Sequence, residues 1–338
     1  MSPGQSRLSY PLDEGAEQEL SIQPEAGSSG PALRLESQGR AQMNVFLTGA
    51  TGYIGSALAR GLRARGHEVT ALVRPESDSK TLRDLGVTIV AGDLSTLPGL
   101  TDLLAEHTTY IHTAHAQGKD GAALDRTAIQ SFAAPPRRDA HFIYTSGVWV
   151  LGRAGVPTDE SSPVKPITIV AWRVPHERLV LDAYDGHFVS SVIRPGCVYG
   201  GKQSLLADWF AAAEQDRPAR IVGDGRNRWA MVDLHDLVDC YIAVVEKRLA
   251  GLFHAVDDSR EPLDGCARAV YEASGHRLQL ELVPLEKARQ SLGPFAEALA
   301  VDQEVSSAKT RQDLGWNPQR TFLSSVEEQW REWEAAKG

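Results

Sequence analysis

Gly49, Gly52 and Gly55 stand three residues apart directly behind a short apolar run, Val45-Phe46-Leu47. The loop Thr48-Gly49-Ala50-Thr51-Gly52-Tyr53-Ile54-Gly55 then leads into a helical stretch over 56–66. Strand, glycine turn and helix in that order are what a loop needs to hold the diphosphate of a dinucleotide. Gly49 permits the tight turn, Gly52 lets an anion approach the backbone, and Gly55 lets the helix pack close to the strand. The N–H groups opening the helix, with its dipole, favour negative charge. Thr51, Tyr53 and Ile54 complete the contact set. An ordinary strand-to-helix turn has the same glycines, so the reading depends on whether later segments build a nucleotide-binding sheet.

A second set of residues has proton chemistry. Thr145 and Ser146 close one apolar run, His112 and His115 close another, Tyr199 lies in a loop, and His176 follows Trp172 by four residues. An imidazole, with an unperturbed pKa of about 6.5, exchanges a proton near neutral pH. An indole N–H donates a hydrogen bond and nothing more, so Trp172 is expected to pack on a ligand. Trp172 and His176 share a helix face if the helix is continuous; Pro175 either kinks it or starts it. Tyr199 reads as a proton donor on the substrate side or as a packed loop aromatic. Trp149, Trp209 and Trp229 offer walls for an apolar substrate or for the core. Asp233 and Asp236 precede a helix and fit capping better than catalysis. Arg173, Glu177 and Arg178 read as a solvated helix end. No metal-ligand spacing such as HExxH is present, so no metal is expected.

The elements that must position these groups alternate. Strands are expected over 68–74, 87–94, 110–115, 141–147 and 189–195, with helical segments over 80–85, 97–106, 121–132 and 167–184. Such alternation predicts an α/β fold, a doubly wound parallel sheet, followed by a smaller C-terminal α/β lobe. Residues 1–42 are rich in Ser, Gly, Pro, Glu and Gln and are expected to be a disordered tail or an over-long translation start, because Met43 opens the first strand cleanly. The expected division is 43–200 for the nucleotide-binding domain and 201–338 for a mainly substrate-binding lobe. The second strand should end beside the adenosine ribose, where an acid selects NAD and an arginine selects NADP. Arg74 there leans toward NADP(H), with Glu76 or Asp78 as alternative ribose ligands. In Gly92-Asp93-Leu94, Asp93 would accept from the adenine amine and Leu94 would cover the ring; a simple turn Asp is the alternative.

The chain has 338 residues and a net charge of −9, which argues against nucleic-acid binding. No apolar run reaches a membrane span. Cys197, Cys240 and Cys266 form no CxxC, so a reducing, cytoplasmic setting is expected.

Taken in order, the glycine loop, Gly92-Asp93-Leu94, Tyr144-Thr145-Ser146-Gly147, Arg194-Pro195 before Val198-Tyr199-Gly200, Gly223-Asp224-Gly225 ahead of Val232-Asp233-Leu234-His235-Asp236, and Leu314-Gly315-Trp316-x-Pro318 carry a resemblance. From Met43 almost to its end the chain resembles the NAD-dependent epimerase/dehydratase group of the short-chain dehydrogenase/reductase superfamily. The resemblance implies a Rossmann sheet, an NAD(P)(H) cofactor, a small-molecule substrate and a homodimer whose interface it does not locate. In that family a Tyr-x-x-x-Lys pair and an upstream Ser or Thr carry the chemistry. On that pattern Trp172 stands where the Tyr belongs and His176 where the Lys belongs. Gly147 takes the hydroxyl residue's place, with Ser146 and Thr145 beside it. The chain therefore resembles an atypical member. The expected activity is NAD(P)H-dependent reduction, or the reverse oxidation, at a carbonyl or hydroxyl of a small, partly apolar or aromatic metabolite. His176, Ser146 and Tyr199 are its candidate proton carriers, His176 alternatively holding a ribose, and Trp172 and Trp149 its pocket walls. A nucleotide-sugar epimerase or dehydratase is a second reading, weakened by the missing Tyr and Lys. A non-catalytic dinucleotide sensor is a third.

Overall fold

A computed structural model describes residues 42–116, 118–133, 139–153, 156–185 and 187–335. The tail expected over 1–42 therefore lies, but for its last residue, outside the described residues. The first half runs β1 (Asn44–Thr48), α1 (Tyr53–Ala64), β2 (Glu68–Val73), α2 (Lys80–Asp84), β3 (Thr88–Ala91), α3 (Thr101–Ala105), β4 (Thr109–His112), α4 (Gly121–Ala133), β5 (His141–Thr145), α5 (Arg173–Leu181) and β6 (Val189–Pro195). The second half runs β7 (Cys197–Tyr199), α6 (Ala207–Glu214), β8 (Ala219–Val222), β9 (Met231–Asp233), α7 (Leu234–Lys247), β10 (Gly251–Ala255), α8 (Leu263–Ser274), β11 (Leu280–Val283), α9 (Leu285–Leu292), α10 (Phe295–Leu299), α11 (Ala308–Leu314) and α12 (Phe322–Ala335).

Seven strands form one parallel sheet in the order β10-β6-β5-β4-β1-β2-β3. Leu47 on β1 pairs with Ala71 on β2 and with Ile111 on β4. Both faces are covered by helices, and β1 is accordingly apolar without alternation: Val45, Phe46 and Leu47 are all fully buried. The chain leaves β1 toward β2 on one side and returns at β4 on the other. The carboxyl ends of β1 and β4 thus flank the topological switch point, where open α/β sheets bind their ligands.

The seventh strand, β10, comes from beyond residue 200, and so does α7, which packs on α1. Residues on both sides of that expected boundary therefore build the central sheet and its cover. A Cβ on Gly61 would meet Val238 Cγ1 at 2.5 Å, so glycine is what lets α1 and α7 approach this closely. Two short parallel pairs, β7–β9 and β8–β11, lie outside the main sheet. With α6, α8 and α12 they enclose a second core around Trp209, Phe210, Trp229, Tyr271, Phe322 and Trp330.

Candidate active site

The glycine loop has the form its spacing predicts. Gly49 adopts φ +81°, and a Cβ there would fall 2.6 Å from Ala114 N. A Cβ on Gly55 would lie 2.1 Å from Gly49 O, so the loop folds against the helix only with glycine at both places. Gly52 caps α1 in an extended conformation, with no side-chain cap and no acid in the first turn. The amides of Tyr53, Ile54 and Gly55 have no intrahelical acceptor by construction, and Thr51 and Gly52 are exposed beside them. An uncapped helix start of this kind, on a 12-residue helix at the sheet's switch point, fits a diphosphate. Tyr53 donates its hydroxyl to Gly200 O and ties this loop to the one that follows β7. Burial and the nearby Asp233 raise its pKa, so it holds its proton.

At the adenosine end the picture is mixed. Asp93 is exposed, and its Oδ1 accepts from Ser95 N at 2.8 Å and Ser95 Oγ at 2.6 Å, which makes it a turn residue. Those bonds lower its pKa. Leu94 belongs to the core around Phe46 and Leu97. Arg74 is exposed just past β2 and meets Glu76 at 3.4 Å.

Between the ends of β4, β5 and β6 lies a cleft of about 840 Å³. Ser146 reaches it from the end of β5. Its residue is 8% exposed, and its Oγ is buried without a hydrogen-bond partner among the described residues. Thr145, by contrast, is spent on Tyr241 OH at 2.6 Å. Gly147, which takes the family's hydroxyl position, also lines the cleft. Trp149 and Trp172 line it as expected, whereas Trp209 and Trp229 stack on one another inside the second core, at 6.2 Å.

The helix α5 corrects the expected assignment. Pro175 sits in its first turn, and Trp172 precedes it with helical backbone angles, so the Trp172 and His176 rings do meet, edge to face at 5.3 Å. His176, however, turns away from the cleft. It is 5% exposed, and its Nδ1 lies 2.7 Å from Asp125 Oδ2. Asp125 also accepts from Tyr144 OH at 2.9 Å and meets His112 Nε2 at 3.2 Å. Burial alone would raise the Asp125 pKa; the bonds from His112 and His176, with the charges of His112 and Arg173, hold it below the usual carboxylate range. His112 is buried in this network, its other ring nitrogen 2.6 Å from Thr48 Oγ1. The cation that α5 brings to the cleft is Arg173, and the residue one helical turn before it on the same wall is Ile169. Glu177 is not a solvated end either: buried, it holds Arg194 at 2.9 and 2.6 Å. Arg178 alone of that trio is exposed, paired to Asp182.

Tyr199 is also moved. It is fully buried, donates to Asp257 Oδ2 at 2.7 Å and packs edge-on against Phe322. That is the packed-aromatic reading, and it removes Tyr199 from the proton carriers. Asp233 caps α7, accepting from His235 N and Asp236 N. His115 does line the cleft, its ring stacked on Trp172 at 6.2 Å; burial, then the neighbouring Arg173, lower its pKa. Sequence reasoning placed Arg173 on a solvated helix end and did not single out Asp125.

Residues 45–253 match the NAD dependent epimerase/dehydratase family. The chain belongs to that family. It is 30% identical over 290 residues, 83% of its length, to an uncharacterized protein of Schizosaccharomyces pombe, of which it covers 97%. It is 25% identical over 306 residues to a 4-hydroxy-2-methyl-3-oxo-4-farnesyl-3,4-dihydroquinoline-1-oxide ketoreductase of Stigmatella aurantiaca, covering 81% of this chain and 92% of that one. A dTDP-glucose 4,6-dehydratase of Bacillus anthracis in complex with NAD superposes with a TM-score of 0.75 over 87% of this chain and 97% of that one, at 14% identity. This family member therefore has an NAD-binding Rossmann fold but, on the wall of its cleft, neither the tyrosine nor the lysine of the family's pair. Among the described residues no helix is long and apolar enough to cross a membrane.

Proposed function

We propose that this protein is an NAD(P)H-dependent reductase of a carbonyl on a small, largely apolar or aromatic molecule. The observation that carries the reading is Ser146: a buried hydroxyl, unpartnered among the described residues, on the wall of a mainly apolar cleft that opens beside the dinucleotide loop. A bound reduced nicotinamide supplies the hydride. The new alkoxide needs one proton, and Ser146 is the hydroxyl placed to donate a hydrogen bond to the carbonyl oxygen. His115, on the same wall, is the titrating group that can replace the proton. His176, held by Asp125 behind Trp172, positions the indole rather than reaching the substrate. Trp149, Ile169, Val170 and Phe295 give the substrate an apolar bed. A nucleotide-sugar reading fits less well, because among the described residues no carboxylate lines the cleft to serve as base or to hold sugar hydroxyls. The ketone-reducing relative from Stigmatella supports the choice. Arg74 favours NADPH as the donor, since an exposed guanidinium beyond β2 can meet a 2′-phosphate.

The test is loss of reduced nicotinamide against a panel of aryl and alkyl ketones, run with NADH and with NADPH. Ser146→Ala should lower single-turnover hydride transfer by about 100-fold while dinucleotide affinity stays within about twofold. No consumption of either nucleotide across the panel would end the reductase reading and favour a binding protein.

A further inference from the structure

The cleft is walled mainly by apolar side chains, yet all its charge is of one sign. Arg173 and Lys119 line it, and among the described residues no Asp or Glu does, although the chain as a whole carries −9. Arg173 is half-buried. Its Nη1 donates to Thr145 O at 3.0 Å and Tyr144 OH at 3.2 Å, which fixes the plane of the group. Its Cζ stands 4.4 Å from the centre of the Trp172 ring. Nothing in the described residues accepts from Nε or Nη2, and no carboxylate among them contacts the group directly; Asp125, whose carboxyl its charge reaches, stands behind Tyr144 OH and is already bonded to His112 and His176. A guanidinium withdrawn from water without an anion is costly. Arg194, by contrast, is paired by Glu177, one turn further along the same helix.

The missing anion is not the dinucleotide diphosphate. Arg173 is anchored at the end of β5, two strands from β1 in the sheet order, which at strand spacing is about 10 Å from the glycine loop. It stands instead beside Ser146, where the reacting part of a substrate belongs. We infer that the substrate is a carbonyl compound bearing a carboxylate on an apolar or aromatic body, and that Arg173 binds that carboxylate. The planar fork of a guanidinium matches the two oxygens of a carboxylate. Trp172 backs the fork, and Trp149, Ile169, Val170, Leu205 and Phe295 receive the body. This assignment rests on the reductase reading for the reaction, but the binding it describes stands or falls separately.

Benzoate and benzamide, alike in shape and different in charge, are titrated calorimetrically into the full chain saturated with NADP+. Benzoate should bind at least about tenfold more tightly. Arg173→Gln should bring the two within about twofold, Arg173→Lys should keep part of the difference, and dinucleotide affinity should move by less than about threefold. Equal binding of the two probes by the unmodified protein overturns the inference, as does no benzoate binding at millimolar concentration; neither comparison depends on a variant folding. A loss of dinucleotide affinity in Arg173→Gln as large as the loss of benzoate affinity also overturns it, because the arginine then serves the cofactor. Benzoylformate and its methyl ester form the turnover arm, with the acid expected to be reduced faster. If benzoate binds as described and neither ketone consumes NADPH or NADH, the reductase reading fails and the carboxylate site stands.

Discussion

Tyr199 and Asp257 form a buried pair that has nothing to do with the cleft and much to do with stability. Asp257 is 1% exposed and takes hydrogen bonds from Tyr199 OH and Ser259 N, each at 2.7 Å. Burial pushes its pKa up to about 6, and those bonds offset the burial only in part. The unfolded carboxyl titrates near the usual value of about 3.9. Between roughly pH 4 and pH 6 the folded state therefore holds a proton that the unfolded state has lost, and stability falls as pH rises through that window. The loss amounts to about 3 kcal/mol across it. Asp125 works in the opposite sense and elsewhere: its lowered pKa lends stability above about pH 4 that disappears under more acidic conditions. Urea unfolding at pH 5 and pH 7 should show a smaller decline for Asp257→Asn than for the unmodified chain; parallel declines would clear Asp257 of the effect. Tyr199→Phe should cost about 1–2 kcal/mol, the price of a buried acceptor left short of a donor, with turnover per folded molecule retained. A Tyr199→Phe protein of normal stability and abolished turnover would return Tyr199 to the catalytic list.

Helix α5 decides what the cleft presents, and its rotation is set from outside its own sequence. Glu177 grips Arg194 at the end of β6 with two bonds, both side chains 4% exposed. Arg194 in turn reaches His254 on β10 at 3.3 Å. With Glu177 pointing at β6, Arg173 falls on the cleft and His176 falls on Asp125. Removing one member of a buried ion pair strands the other charge, at a cost of about 3–5 kcal/mol. Glu177→Gln should be destabilised by that amount in urea, and Glu177→Leu with Arg194→Met should recover most of it. A single variant within about 1 kcal/mol of the original would mean that α5 is held by packing instead. The same contact explains what was legible beforehand. The glycine loop was readable because Gly52 and Gly55 both press on Gly49 O within six residues, directly behind an apolar strand. The sheet was readable because buried parallel strands are continuously apolar. The phase of α5 was not readable. A spacing of four fits Trp172 with His176 as well as Ile169 with Arg173, and only the partner on β6 chooses between them. Tyr199 misled for a related reason: a loop aromatic beside a motif faces ligand or core according to residues far away, here Asp257 and Phe322.

At the scale of the whole molecule, the two halves of the chain do not separate at residue 200. β10 completes the sheet by pairing with β6, Phe253 opposite Ile193 and Leu252 opposite Val192. α7 covers α1, the helix that the glycine loop opens, and Trp316 fastens that layer by donating to Asp236 O at 2.8 Å. Leu58 and Leu62 of α1 share one core with Val238, Ile242, Leu314 and Trp316. The cleft is divided in the same way, with Tyr53 and Ser146 from before the boundary and Gln203, Leu205 and Phe295 from after it. A fragment of residues 43–200 would therefore expose one whole face of its first helix and an unpaired sheet edge, the condition that favours aggregation over folding. It should show no cooperative thermal transition by circular dichroism and no quenching or enhancement of NADPH fluorescence, while the full chain should show both. A fragment that melts cooperatively and binds the nucleotide would prove the first half self-sufficient. The close approach of Gly61 to Val238 would then be a late convenience of packing and not a condition of the site.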